Sequence, residues 1–416
     1  MKRLLADGFA QSVWKVPLDQ GLHSFVNLLI GYAVARHVDV ADFGVFVASL
    51  SLAHLLASMT SAGTFGIAAV DAVRLHHSLQ GYVSAAETAC LTLAIFLAFL
   101  LVTVLWAARG FWSDLPAEST VLLMFGYAGV SLILEAYRRF VYLGRGRNSA
   151  YLYSIVRFLS FGTFVIVAGN RESSVNIILM AAIAQSLVGI LFCLLNSSFV
   201  SGTGLRIAHL KRIASRGSSL GLSSLLSSGF EQFIILSGSI RLGSSVAGGW
   251  RAATYLFGVL APVLLTADAF VPKWLLNRYG TTMRPSTAAL VGATVGAAVI
   301  GFAIATLNAV IYLPMLGKTY IGYEYISYAY VLVFISVALR QVVTVPLRRY
   351  SERGILYSSL VGITTGIIFF YWPPVRQLDS LTQALVAAQI ASTLSLLAAL
   401  ASIPKRSKGR ATGKLV

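Results

Sequence analysis

Charge is what this 416-residue sequence has least of. Asp, Glu, Lys and Arg together make up 11% of it, where a water-soluble chain carries roughly 25%. Apolar residues make up 57% and the mean hydropathy is +0.78, so a water-soluble protein is excluded. Cysteine is scarcer still. Cys90 and Cys193 lie in apolar runs in opposite halves, which excludes a disulfide framework and a metal-ligand spacing. Long polar segments are missing too, so no soluble domain fits between the apolar runs. No cleavable signal is expected, because Lys2 and Arg3 are followed by Asp7, Gln11 and Lys15 rather than an apolar core. No cofactor is expected either. Gly317-Lys318-Thr319 looks like the end of a phosphate-binding loop, but Tyr312 stands where that loop needs glycine.

What the sequence has in abundance is apolar segments of membrane-spanning length. A bilayer core of about 30 Å needs about 20 residues of helix. That ruler predicts twelve helices, roughly over 17–38, 43–68, 82–108, 118–140, 149–169, 174–197, 218–240, 247–272, 286–314, 323–345, 354–372 and 379–403. The predicted fold is all-α, a polytopic membrane protein with two six-helix bundles around a central cavity. The loop around 198–217 separates an N-terminal bundle, 1–204, from a C-terminal bundle, 205–403, and a basic tail follows over 404–416.

Acidic residues number 15 against 32 basic ones, a net charge of +17. In a soluble protein that excess would point to nucleic acid; here the bases alternate between loops. One side collects 23 of them and the other 6. The positive-inside rule then places both termini in the cytoplasm. The excess is an orientation signal and an attraction to anionic membrane lipids, and no nucleic-acid partner is expected.

Six helices on each side of the central loop would make any internal repeat parallel. A shift of 204 residues matches Gly44 with Gly248, Ala48 with Ala252, Leu52 with Leu256 and Ala57 with Ala261. Three short stretches also stand out: Ala41-Asp42-Phe43-Gly44-Val45-Phe46, Gly144-Arg145-Gly146-Arg147, and Gly248-Gly249-Trp250-Arg251-Ala252-Ala253. With the helix count, these resemble the bacterial polysaccharide (O-antigen/exopolysaccharide) flippases of the multidrug/oligosaccharidyl-lipid/polysaccharide exporter superfamily. The sequence departs from that pattern at Ser237-Gly238-Ser239-Ile240-Arg241, where no acid precedes the base. The resemblance implies alternating access and a polyprenyl-diphosphate-linked oligosaccharide as cargo. It also implies a bacterial cytoplasmic membrane and other polysaccharide-assembly membrane proteins as partners.

Polar residues inside apolar helices cost about 2.5–3.5 kcal/mol each when charged, and so face a cavity or a partner. On the first helix Asp19, His23, Asn27 and Gly31 recur once per turn on one face. On the second, Ser51, His54, Ser58 and Ser61 do the same. The two stripes either line a shared wet surface or bond across a helix interface. Ser224, Ser227, Ser228, Glu231 and Gln232 cluster on the seventh helix, and Arg251, Tyr255, Gly258, Pro262 and Thr266 on the eighth. Arg251 either faces the cavity or snorkels to the interface.

The cavity candidates for substrate are therefore Arg157, Arg251, Asn27, His23, His54 and Tyr255, and the ion-coupling candidates are Glu231 and Asp19, for H⁺ or Na⁺. Arg157, deep in the fifth helix, either binds a diphosphate with its fork of donors or pairs with an acidic neighbour. Glu231 either couples an ion or forms a structural ion pair. Glu135 and Arg139 are expected to pair at a helix end, Glu87 to be interfacial, and the tyrosines from 320 to 330 to form an aromatic belt. A lipid-linked oligosaccharide flippase is the leading function, and an ion-coupled drug exporter of the same superfamily is its rival. A polysaccharide polymerase or ligase fits less well, since the predicted outer loops are too short to hold an acceptor. An enzyme is not expected.

Overall fold

The computed structural model describes residues 15–66, 68, 79–111, 115–138, 140, 149–169, 175–195, 207–258, 287–350, 352–374 and 379–402. Among them a helix falls on each of the twelve predicted spans, and no strand occurs. These are α1 (Lys15–His37), α2 (Val40–Ser61), α3 (Leu79–Ala107), α4 (Glu118–Tyr137), α5 (Ser149–Gly169) and α6 (Val175–Leu195). They continue with α7 (Ile207–Arg241), α8 (Ser244–Thr254), α9 (Thr287–Leu307), α10 (Glu324–Tyr350), α11 (Glu352–Tyr371) and α12 (Ser380–Ser402). A π turn, Asn308–Tyr312, and a last turn, Leu313–Leu316, extend α9.

The chain is an all-α polytopic membrane protein, and burial shows which helices meet lipid. The span Tyr82–Gly110 is the most apolar of the described spans and is only 28% buried, and Leu290–Leu316 is 17% buried. Val40–Phe65 and Glu118–Tyr137 are less apolar, yet each is 61% buried. Water would reverse that order, since exposing apolar surface to it is unfavourable. Phe96, Phe99, Val299 and Val310 therefore point at hydrocarbon, and the more polar spans build the interior.

The few acids of the predicted outer side have a local job. Asp39 caps α2 by accepting the Asp42 N–H at 2.7 Å, and Asp379 caps α12 by accepting the Thr382 N–H at 2.7 Å. Glu118 and Glu324 lie in the first turns of α4 and α10. Each carboxylate meets the positive end of a helix dipole.

Contacts divide the chain into two compact units. The first comprises residues 1–263 and 304–328, the second 264–303 and 329–416. Within the first, α2 and α8 cross so closely that both crossing positions must be glycine. A Cβ on Gly44 would overlap the Ser244 carbonyl, and one on Gly248 would overlap the Val40 carbonyl. These are the two glycines that the 204-residue shift brings into register. Within the second unit, Gly362 of α11 packs against α12, where a Cβ would lie 2.9 Å from the Ala388 carbonyl oxygen. Val343, Leu396 and Leu400 form a small core beside it.

Candidate functional site

The polar stripe of α1 meets its partners inside the first unit. Arg157 of α5 is 1% exposed, yet three of its nitrogens are engaged. Its Nε donates to Gln185 Oε1 of α6 at 2.5 Å, Nη1 to His23 Nδ1 at 2.5 Å, and Nη2 to Asn27 Oδ1 at 2.8 Å. Gln185 is held in turn, its amide donating to the Ala182 carbonyl at 2.9 Å and to Ser186 Oγ at 2.8 Å. On its other edge, His23 Nε2 bonds Glu135 Oε1 of α4. The second oxygen of Glu135 accepts from Arg138 Nε at 3.1 Å. Tyr153 of α5 stacks beside the imidazole at 6.5 Å between ring centroids.

Among the described residues Arg157 bonds Gln185, His23 and Asn27 rather than a carboxylate, and His23 links it to Glu135. Glu135 pairs with Arg138 and His23, and Arg139 lies outside the described residues. Glu87 is not interfacial. It is 2% exposed on α3 and accepts the Tyr137 hydroxyl at 2.7 Å.

A second group joins the same α1 residues to α8. The Tyr255 hydroxyl donates to the Asn27 carbonyl at 3.0 Å, and its ring seats over Gly31, where a Cβ would overlap it. The Arg251 guanidinium lies 5.1 Å from the centre of the Tyr255 ring, within cation–π range. Among the described residues no carboxylate pairs with Arg251. Tyr255 also stacks on Tyr312 at 6.3 Å, and Tyr312 meets Tyr32 at 5.9 Å. The tyrosines near 320 are not all a belt. Tyr320 is 1% exposed and donates to the Ala35 carbonyl at 3.1 Å, and Tyr323 donates to the Ser245 carbonyl at 3.5 Å.

The break in α8 at Tyr255–Leu256 leaves carbonyls without helical donors. Asn308, in the π turn, supplies them. Its amide donates to the Ala253 carbonyl at 2.7 Å and to Ser327 Oγ at 2.9 Å, and Ser327 donates to Ala253 at 2.8 Å.

Of the predicted site residues, His23, Asn27 and Arg157 therefore form one bonded cluster, with Tyr255 and Arg251 joined to it through Asn27. His54, half-buried on α2, lies within electrostatic reach of Glu135, Arg251, Arg138 and Arg157. Glu231 is half-buried on α7. The Asp19 side chain lies outside the described residues, as do those of Ser224, Ser227 and Ser228. Glu135, Arg138, Gln185 and Ser186 belong to the cluster and were not anticipated. Gln185 carried a signal, a lone amide in the middle of an otherwise apolar α6.

No protein-family model matches the chain, and no curated protein matches it by sequence. Solved structures do match it along nearly its whole length. One is the inward-facing conformation of a multidrug resistance MATE family transporter of the MOP superfamily. It has a TM-score of 0.60 at 14% identity, covering 95% of this chain and 99% of that one. The eukaryotic MATE transporter AtDTX14 gives 0.56 at 16% identity and covers 97% of each chain. The lipid II flippase MurJ, in an inward closed conformation, gives 0.59 at 13% identity, covering 92% of this chain and 86% of that one. The chain has the fold shared by these membrane proteins.

Proposed function

We propose that this chain is a secondary transporter that flips a polyprenyl-diphosphate-linked oligosaccharide. Cargo would move from the cytoplasmic to the outer leaflet of a bacterial cytoplasmic membrane by alternating access between two six-helix bundles, divided near residue 204. Both termini are cytoplasmic in this reading, and the product serves surface polysaccharide assembly. The observation that carries it is Arg157, a guanidinium in mid-membrane whose charge is solvated by Gln185, His23 and Asn27 and neutralised by none of them. Its forked donors match phosphate oxygens, and Arg251 adds a second cation along the same path. A diphosphate supplies the missing negative charge while the isoprenoid tail stays in lipid.

A drug or small-molecule exporter is the second reading, favoured by the fold likeness to MATE transporters. A cationic drug would want an available carboxylate, and the half-buried Glu135 is already engaged by Arg138 and His23. Mass spectrometry of lipid co-purifying with the protein separates the two. A bound polyprenyl-diphosphate glycan is expected, and its absence alongside a bound cationic amphiphile would favour the exporter. Depletion in cells is expected to build up oligosaccharide-lipid on the cytoplasmic leaflet. A change in polymer length with translocation intact would instead favour a polymerase or ligase.

A further inference from the structure

We propose that His23 is a proton-binding site and that the proton competes with Arg157 for one ring nitrogen, so that proton uptake unlatches the arginine. The proposal rests on the transport reading above only for what the released donors then bind.

A guanidinium carries donors and no acceptor. The His23 nitrogen facing Arg157 Nη1, Nδ1, must therefore offer its lone pair. In the neutral ring the hydrogen then sits on Nε2, where Glu135 accepts it. Asn27 Oδ1 accepts from Arg157 Nη2 at 2.8 Å, and its Nδ2, a donor like the protonated Nε2 3.2 Å away, makes no hydrogen bond there in this tautomer. The tautomer is thus set from both sides, by a cation on one edge and a carboxylate on the other. A second proton can enter only at Nδ1, and it removes the lone pair that holds Nη1. The step balances simply: one proton is bound, one N–H···N bond is lost, and no covalent bond of the protein changes otherwise. The imidazolium formed is ion-paired with Glu135, which favours it, whereas the uncovered Nη1 donors of Arg157 need a new acceptor.

The groups facing His23 come from every neighbouring helix. Glu135 and Arg138 come from α4 and Arg157 and Tyr153 from α5, with the neutral Gln185 behind Arg157 on α6; His54 of α2 lies within electrostatic reach of the same Glu135, Arg138 and Arg157. Asp19 shares α1, one turn away. Among the described residues, Glu135 and Arg157 are the groups that bond the ring from other helices. The competition is therefore between a proton and one particular guanidinium. A diphosphate that accepted the Nη1 donors would pull Arg157 off the ring and raise its proton affinity, so cargo and proton would be taken up together.

Nitrogen NMR of the full chain in detergent micelles, labelled with ¹⁵N-histidine, reads the ring directly, with His23 assigned by the loss of its signals in His23→Gln. Arg157→Gln is expected to raise the proton affinity of the ring about tenfold, one unit of titration midpoint, and Glu135→Gln to lower it. If Arg157→Gln fails to fold, Arg157→Lys, whose single ammonium cannot span three acceptors, is expected to raise it about threefold. A titration unchanged in the folded variant overturns the proposal. Adding farnesyl diphosphate to the unmodified protein is expected to raise the affinity as well, with no effect in Arg157→Gln. Inorganic pyrophosphate, run in parallel, tests whether the headgroup suffices. If the variants shift the titration but neither compound does, the proton site stands and the diphosphate cargo fails.

Discussion

The first unit buries arginine, carboxylate and imidazole together on α1, α4 and α5. The described residues of the second join α10, α11 and α12 through hydroxyls and small residues. There Thr393 donates to the Ser336 carbonyl at 3.2 Å, Arg340 donates to Ser359 Oγ at 3.2 Å, and Gly362 admits α12. Hydroxyl and small-residue contacts are the ordinary adhesive of helices in lipid, where burying apolar surface gives no driving force. A charge cluster is costly there and persists when it serves a function. Among the described residues this contrast supports the proposal that the chemistry of the molecule lies in the first unit.

Arg157→Ala tests that contrast most severely. It leaves two buried acceptors, on His23 and Gln185, and the half-buried Asn27 without a donor, at about 1–3 kcal/mol for each buried one. Transport is expected to be lost and thermal unfolding, followed by tryptophan fluorescence, to fall sharply. Arg157→Lys is expected to retain more transport than the alanine variant, and equal full activity in both would remove the anion-binding role. Next comes Gly248→Val, which forces α2 and α8 apart; overpacking of this kind costs about 1–3 kcal/mol. Cross-linking between cysteines placed near Gly44 and Gly248 should drop with it. Tyr255→Phe removes one hydrogen bond and keeps the ring, a loss of about 1 kcal/mol, readable as a modest fall in melting temperature. In the second unit, Arg340→Gln keeps a donor for Ser359 and should change stability by less than about 0.5 kcal/mol. A larger effect there than at Arg157 would reverse the contrast.

How much of this was legible in the sequence depended on which kind of neighbour was involved. Helix spans follow from composition, and the face shared by His23 and Asn27 from the helical period, so these were readable along one helix. The bonds that tie α1 to Glu135 and Arg157 connect positions 112 to 134 residues apart, and no local spacing encodes them. Glu135 shows the limit well. Its pairing with Arg138 is local and its expected partner Arg139 lies outside the described residues, whereas its bond to His23, 112 residues away, has no local signal. Tyr320 was hidden for a similar reason, since a tyrosine at a predicted boundary looks the same in a belt and in a seal. Gln185 was visible and passed over, because an amide in an apolar helix can be held by its own backbone; its second half, holding Arg157, needed α5 to be known.

The three tyrosines that seal the first unit, Tyr255, Tyr320 and Tyr323, all donate to main-chain carbonyls, at Asn27, Ala35 and Ser245. A carbonyl is present whatever residue occupies those positions. Related chains can therefore drift at 35 and 245 without losing the seal, while the tyrosines themselves cannot be exchanged even for phenylalanine without loss. Divergence would erode sequence likeness along α1 and spare the geometry, which suits a chain that matches known transporters in shape while sharing so few of their residues.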